Sequence, residues 1–104
     1  MRYNVVKNPN EIIQSSEYLI KNPESFKNKW KELFKNNNPI CLELGMGRGS
    51  FIIEMDKKNP NINYIGLELD QNQTATAIKN IKDEKIKNLK IICADANNIV
   101  EFFG

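Results

Sequence analysis

Ile40-Cys41-Leu42-Glu43-Leu44-Gly45-Met46-Gly47-Arg48-Gly49-Ser50-Phe51 is the stretch that decides the fold. An apolar run, Ile40 to Leu44, carries one acid, Glu43. It then breaks into three alternating glycines, Gly45, Gly47 and Gly49, and resumes as an apolar-periodic segment from Phe51. This is the pattern of a buried parallel strand, a tight turn, and a helix whose first turn faces a ligand. Glycine accepts positive φ and lets a ligand approach the backbone. The free N–H groups of the helix start can then bind an anionic group.

The spacing narrows the choice of ligand. A dinucleotide fingerprint requires G-x-G-x-x-G, whose third glycine would fall at Ser50. A phosphate-binding loop requires Gly-Lys-Ser/Thr, and none follows. Glu43, two residues before the first glycine, suits an amino group better than a pyrophosphate. Flanked by Leu42 and Leu44, it is also costly to bury without a partner, which an ordinary strand-to-helix turn does not explain. E-x-G-x-G-x-G resembles the first motif of class I S-adenosylmethionine-dependent methyltransferases, whose cofactor carries an ammonium, a sulfonium and no phosphate.

From Pro39 onward the elements alternate, which argues for an α/β fold with a parallel sheet. The pattern predicts a helix over 49–58 with Phe51, Ile52 and Met55 inward, ended by Asn59-Pro60. A strand follows over 62–69. Asp70 then caps a helix, with Gln73 at the third position and Ala75, Ile78 and Ile81 on the buried stripe. A third strand covers 89–94, and another helix starts near Asn97. Three strands make half of a doubly wound sheet, whose first strand normally lies in the middle. The class I methyltransferase fold would thus be truncated after its third strand. The bare edge of Pro39–Leu44 is expected to drive self-association.

Upstream, residues 1–38 read as an N-terminal extension and 39–104 as the cofactor-binding unit. Asn10 is the expected cap of a helix over 11–16, and Tyr18-Leu19-Ile20 runs extended. Phe26, Trp30, Leu33 and Phe34 recur at helical spacing, predicting a helix over 26–35 with Lys27, Lys29, Lys31 and Lys35 on its other sides. Asn36-Asn37-Asn38-Pro39 stops it.

Composition removes several classes of chemistry. Histidine is absent, which excludes Ser-His-Asp catalysis and most zinc sites, and no metal is expected. Cys41 and Cys93 fall in different strands and read as small core residues. No apolar run approaches a membrane span and no signal peptide is visible, so no membrane partner and a cytoplasmic location are expected. The net charge is +2, with +3 concentrated in residues 1–35.

Each strand ends at an acid: Glu43, Glu68 and Asp95. In an open α/β sheet all three would face the crevice beyond the strand ends. Glu68, flanked by Leu67 and Leu69, stands where a carboxylate accepts from both ribose hydroxyls; the alternative is a surface acid. Asp95 either meets an adenine edge or caps a helix. Arg48 carries no assigned role.

Trp30, Phe34, Pro39-Ile40, Leu42 to Gly49, Phe51-Ile52, Asn59-Pro60 and Asn63-Tyr64-Ile65-Gly66-Leu67-Glu68 follow one another, and Asn88-Leu89 and Asp95-Ala96 continue the series. This succession resembles the N-terminal half of the bacterial tRNA (guanine-N7-)-methyltransferase family, over residues 26–103. The resemblance implies that Glu43, Gly45, Gly47, Gly49, Glu68 and Asp95 contact S-adenosylmethionine. It also implies that tRNA is the substrate, with methyl transfer to guanine N7 in the variable loop. Asp56 departs from the small residue usual in the family, a change that bears on helix packing. The family's Asp-Pro-Trp motif and its catalytic acid would fall beyond residue 104, so these residues alone are expected to hold cofactor without methylating tRNA. Arg2, Lys7, Lys27, Lys29, Lys31 and Lys35 either contact tRNA phosphates or form a solvated face. The rival readings are a class I methyltransferase with another substrate and a non-catalytic cofactor-binding or partner-docking module.

Overall fold

A computed structural model describes residues 6–103. Among them, three parallel strands, β1 (Ile40–Leu44), β2 (Asn63–Leu67) and β3 (Leu89–Ile92), lie in the order β1-β2-β3. Ile40 pairs with Asn63 through to Leu44 with Leu67, and Tyr64 pairs with Leu89 through to Leu67 with Ile92. Arg2 lies outside the described residues.

β2 is buried along its whole length because it has strands on both edges and helices on both faces. Alternate residues of a strand point to opposite faces, so the sheet feeds two cores. Tyr64, Leu89 and Ile91 pack with α1 (Pro9–Gln14), α3 (Ser50–Lys58) and α4 (Gln71–Asp83). Ile65, Leu67 and Ile92 pack with Ile20, with Trp30 of α2 (Trp30–Phe34) and with Phe102 of α5 (Ile99–Phe103). Trp30 ties the two chain ends together there. Its ring stacks on Phe103 at 4.6 Å, and its Nε1–H donates to the Phe102 carbonyl at 3.0 Å.

Local chemistry set several elements as the sequence predicts. Asp70 caps α4, its Oδ1 accepting from the Gln73 N–H at 3.1 Å, and Ala75, Ile78 and Ile81 are buried. Tyr18–Ile20 runs extended: Leu19 makes a parallel bridge with Ile91, Ile20 N–H donating to Ile91 O at 2.8 Å and Ile91 N–H to Tyr18 O at 2.9 Å. That segment covers the outer edge of β3.

Other expectations are corrected. The helix expected over 26–35 is two pieces, a 3₁₀ turn over Pro23–Phe26 and then α2, because Asn28 adopts φ 66° between them. Asn enters that left-handed region more readily than most residues, and the break lets Phe26 and Trp30 stack at 5.6 Å. Helix α1 begins at Pro9 after a left-handed Asn8, so Asn10 lies in its first turn and is not its cap. Proline suits that first position, since its missing N–H has no helical partner to lose. β2 stops at Leu67 and leaves Leu69 60% exposed. β3 stops at Ile92, before a 3₁₀ turn over Ala96–Asn98 that leads into α5.

β1 was expected to be buried and is half open, because no described strand pairs with its outer edge. Cys41 is accordingly exposed and not a core residue. For the same reason Phe51 overhangs the open side, 62% exposed, while Ile53 takes the inward position toward α4. Asp56, in contrast, is only 4% exposed on α3. No helix among the described residues is long and apolar enough to cross a membrane.

Candidate functional site

The glycine turn sits on the carboxyl rim of the sheet and is stitched to β2. Gly45 and Met46 N–H both donate to the Leu67 carbonyl, at 2.8 and 3.1 Å. Gly45, Gly47 and Gly49 have φ of 68°, 57° and 84°, all in the left-handed region where an L side chain is strained. A Cβ at Gly45 or Gly47 would meet nothing within 4 Å, so backbone at both positions looks onto open space. Gly49 is different: a Cβ there would lie 3.3 Å from Ala77 Cβ, so this glycine also lets α4 approach the start of α3.

Two side chains complete the turn. Glu68 Oε1 accepts from Gly47 N–H at 2.9 Å, and its Oε2 accepts from Asp70 N–H at 3.0 Å. One carboxylate therefore joins the turn after β1 to the cap of α4. A carboxylate offers about four lone-pair sites, so Glu68, half-buried, keeps acceptor capacity toward the rim. From the other side, Asn80 of α4 donates through Nδ2 to the Arg48 carbonyl at 3.0 Å.

Asp95 lies on the same rim. Glu68 N–H donates to Ile92 O at 3.1 Å and Ala94 N–H to Glu68 O at 3.2 Å, which binds this segment to the end of β2. The Asp95 carboxylate caps the 3₁₀ turn, accepting from Asn97 N–H at 2.9 Å. Glu43 is set one residue back from the end of β1, opposite Gly66. It lines a cavity of about 260 Å³ beside the bare edge, with Leu44, Phe51, Met55 and Tyr64. Its Oε1 is buried with no hydrogen-bond partner, and burial pushes its carboxyl above the usual carboxylate range. Lys7, Lys27, Lys29, Lys31 and Lys35 are all exposed; Lys7 follows Val6, whose N–H donates to Asn72 Oδ1 in the first turn of α4 at 2.6 Å, while the other four flank or belong to α2, on the other face of the sheet from α4.

Sequence reasoning missed Met46 and Asn80. Met46 turns inward, 5% exposed, onto Gly66 of β2, where a Cβ would collide with its sulfur. A methionine between two glycines is a weak signal, but a glycine inside an otherwise apolar strand does suggest close approach of another group. Asn80 carries no signal at all, because its role depends on how α4 lies against the turn.

Residues 37–104 match a family model described as "Putative methyltransferase". The chain is 40% identical over 92 residues to the tRNA (guanine-N(7)-)-methyltransferase of Bacillus subtilis (strain 168), an alignment covering 88% of this chain and 43% of that protein. It is 38% identical over 104 residues to the protein of the same name from Streptococcus agalactiae serotype III, covering 99% and 49%. The chain thus spans less than half the length of these curated relatives. Among solved structures, a SAM-dependent methyltransferase from Aquifex aeolicus superposes with a TM-score of 0.51 at 14% identity, over 88% of this chain and 50% of that one. The sheet and its helices are those of the class I methyltransferase fold.

Proposed function

Because the chain belongs to the methyltransferase family whose model it matches over residues 37–104, we propose that it is the cofactor-binding part of a tRNA (guanine-N7-)-methyltransferase. The observation that carries this reading is the Glu68–Gly47 hydrogen bond, which locks the first and second strand-end motifs into one open cradle. The relatives' names supply the reaction.

The residues fit S-adenosylmethionine. Gly45 and Gly47 leave backbone facing free space. Glu43 presents an orphaned buried acceptor, which a cationic amino group would satisfy. Glu68 holds the turn and retains acceptors for ribose hydroxyls, and Asp95 stands beyond β3 for the adenine edge. The bound cofactor supplies an electrophilic methyl on a sulfonium. Guanine N7 needs no deprotonation, so catalysis rests on alignment, and the absence of histidine is no obstacle. In this reading residues 39–104 hold cofactor, and residues 1–38 are an extension that carries Lys7, Lys27, Lys29, Lys31 and Lys35 toward tRNA phosphates. A cytoplasmic location follows from the substrate.

A second reading, a docking module, is favoured by the open edge of β1 with Leu44 and Phe51 exposed beside it. Calorimetry separates the two. Binding of S-adenosylmethionine or its demethylated product at one site, weakened about tenfold or more by Glu68→Ala through loss of charge-assisted hydrogen bonds, supports the cofactor role. Unchanged affinity in that variant, or tighter binding of NAD, rejects it. A radiolabelled-methyl assay on unmodified tRNA with the 104-residue polypeptide should show no transfer, since the residues that would hold guanine in line are expected elsewhere in the protein.

A further inference from the structure

The carboxyl end of α4 and the turn into β3 carry Lys79, Lys82, Lys85, Lys87 and Lys90, interleaved with Asp83 and Glu84. In sequence this is a mixed-charge stretch with five lysines and two acids. In three dimensions the charges separate. Asp83 and Glu84 turn toward α3, where Glu84 is paired with Lys57 at 3.2 Å. Lys82, Lys85, Lys87 and Lys90 instead line a different groove of about 490 Å³, together with Glu17, Tyr18 and Ile86. Lys79 continues the stripe one turn back, in an adjoining groove that Tyr18 and Lys82 share.

We infer that this groove is a binding surface for the phosphate backbone of RNA. Four ammonium groups face a single carboxylate, Glu17, and among the described residues none of the four lysines is in an ion pair. Lys90 Nζ donates to the Glu17 carbonyl at 3.3 Å, which fixes one charge at the groove wall. Stabilisation of the helix dipole accounts for Lys82, in the last turn of α4, but not for Lys87 or Lys90, which lie beyond the helix. Tyr18 adds a half-buried aromatic ring to the lining, the combination of basic groove and ring that single strands use.

RNA is the occupant the position favours. The groove lies at the carboxyl end of α4, just past Asn80, whose side chain holds the Arg48 carbonyl of the glycine turn. Its lysines are strung out from Lys82 in the last turn of α4 to Lys90 in β3, a row of charges that suits an extended polyanion better than a small anion. The inference rests on tRNA being the substrate. It adds a second basic surface to Lys27, Lys29, Lys31 and Lys35, which flank or belong to α2 on the other side of the sheet.

The test is the triple variant Lys82→Gln/Lys85→Gln/Lys87→Gln, assayed by fluorescence anisotropy on labelled unmodified tRNA across a salt series. Each phosphate contact contributes roughly 0.7 to 0.9 to the slope of log affinity against log salt. The variant should bind tRNA at least about tenfold more weakly at low salt, with the slope reduced by about 2. Its melting temperature should fall by no more than the small helix-dipole contribution of Lys82, and its S-adenosylmethionine affinity should not change. If the triple variant loses its melting transition, Lys82→Gln and Lys87→Gln are read singly, each lowering the slope by just under 1. Unchanged tRNA affinity and slope overturn the inference. Binding of polyglutamate without binding of tRNA also overturns it, and gives the groove to an acidic peptide. Cofactor binding is read separately on the same samples, so failure of the methyltransferase reading and failure of the RNA groove are distinguishable.

Discussion

The two edges of the sheet are built differently. The outer edge of β3 is covered by Tyr18–Ile20, which supplies a bridge, two backbone hydrogen bonds and the buried side chain of Ile20. Among the described residues nothing pairs with the outer edge of β1, and Leu44 and Phe51 are exposed beside it. The orphaned polar atoms follow the same division. Among the described residues, the buried side-chain oxygens without a partner are Glu43 Oε1 on β1 and Asp56 Oδ2 on α3, which covers that side. A finished edge satisfies its backbone and side chains together; an open one leaves both in debt.

Uncovering the finished edge should have the largest effect. Ile20→Pro removes the N–H that bonds Ile91 O and a side chain only 5% exposed, so it should destabilise the fold by about 3 kcal/mol or more. Thermal unfolding followed by circular dichroism measures this. A melting temperature within a degree of the parent would mean that the segment does not hold the edge.

Next comes Asp56, which burial pushes up to about 6 from 3.8. Its folded-state value lies above the unfolded one, so its contribution to stability is complete below the unfolded value and lost as pH rises through about 6. From pH 4 to pH 7, urea titrations of Asp56→Asn and the parent should diverge in the variant's favour by about 2 kcal/mol. Parallel pH profiles would show that the carboxyl has found a partner.

The smallest change in stability belongs to the open edge. Leu44→Lys should alter folding free energy by no more than about 0.5 kcal/mol, since the side chain is already 48% exposed. Its consequence is colloidal. Unpaired strand groups beside apolar surface invite a second copy, so the parent should self-associate at high concentration and the lysine variant should not. A parent that stays monodisperse by light scattering removes the contrast between the edges.

The sequence was most informative where neighbours along the chain decide the outcome. The left-handed glycines, the Asp70 cap, the buried stripe of α4 and the extended Tyr18–Ile20 all follow from local patterns. It failed where a distant residue decides. Helical spacing from Phe26 to Phe34 concealed the break at Asn28, beyond which Trp30 is held by the distant Phe102 and Phe103. Phe51 and Ile53 exchanged places because exposure there depends on an edge that periodicity does not see. In the candidate site, the turn was legible from its glycines, but the Asn80 clamp and the sorting of lysines from acids around α4 exist only after packing.

The seating of Met46 on Gly66 makes two motifs twenty residues apart a single interlocking joint. A methyl group at 66 would push the Met46 thioether out of its seat, and a small residue at 46 would leave a hole over the middle strand. Related chains should therefore drift at these positions as a pair, a larger residue in the strand appearing with a smaller one in the turn. A designer wishing to reshape the cradle would have to redraw both halves of that joint at once.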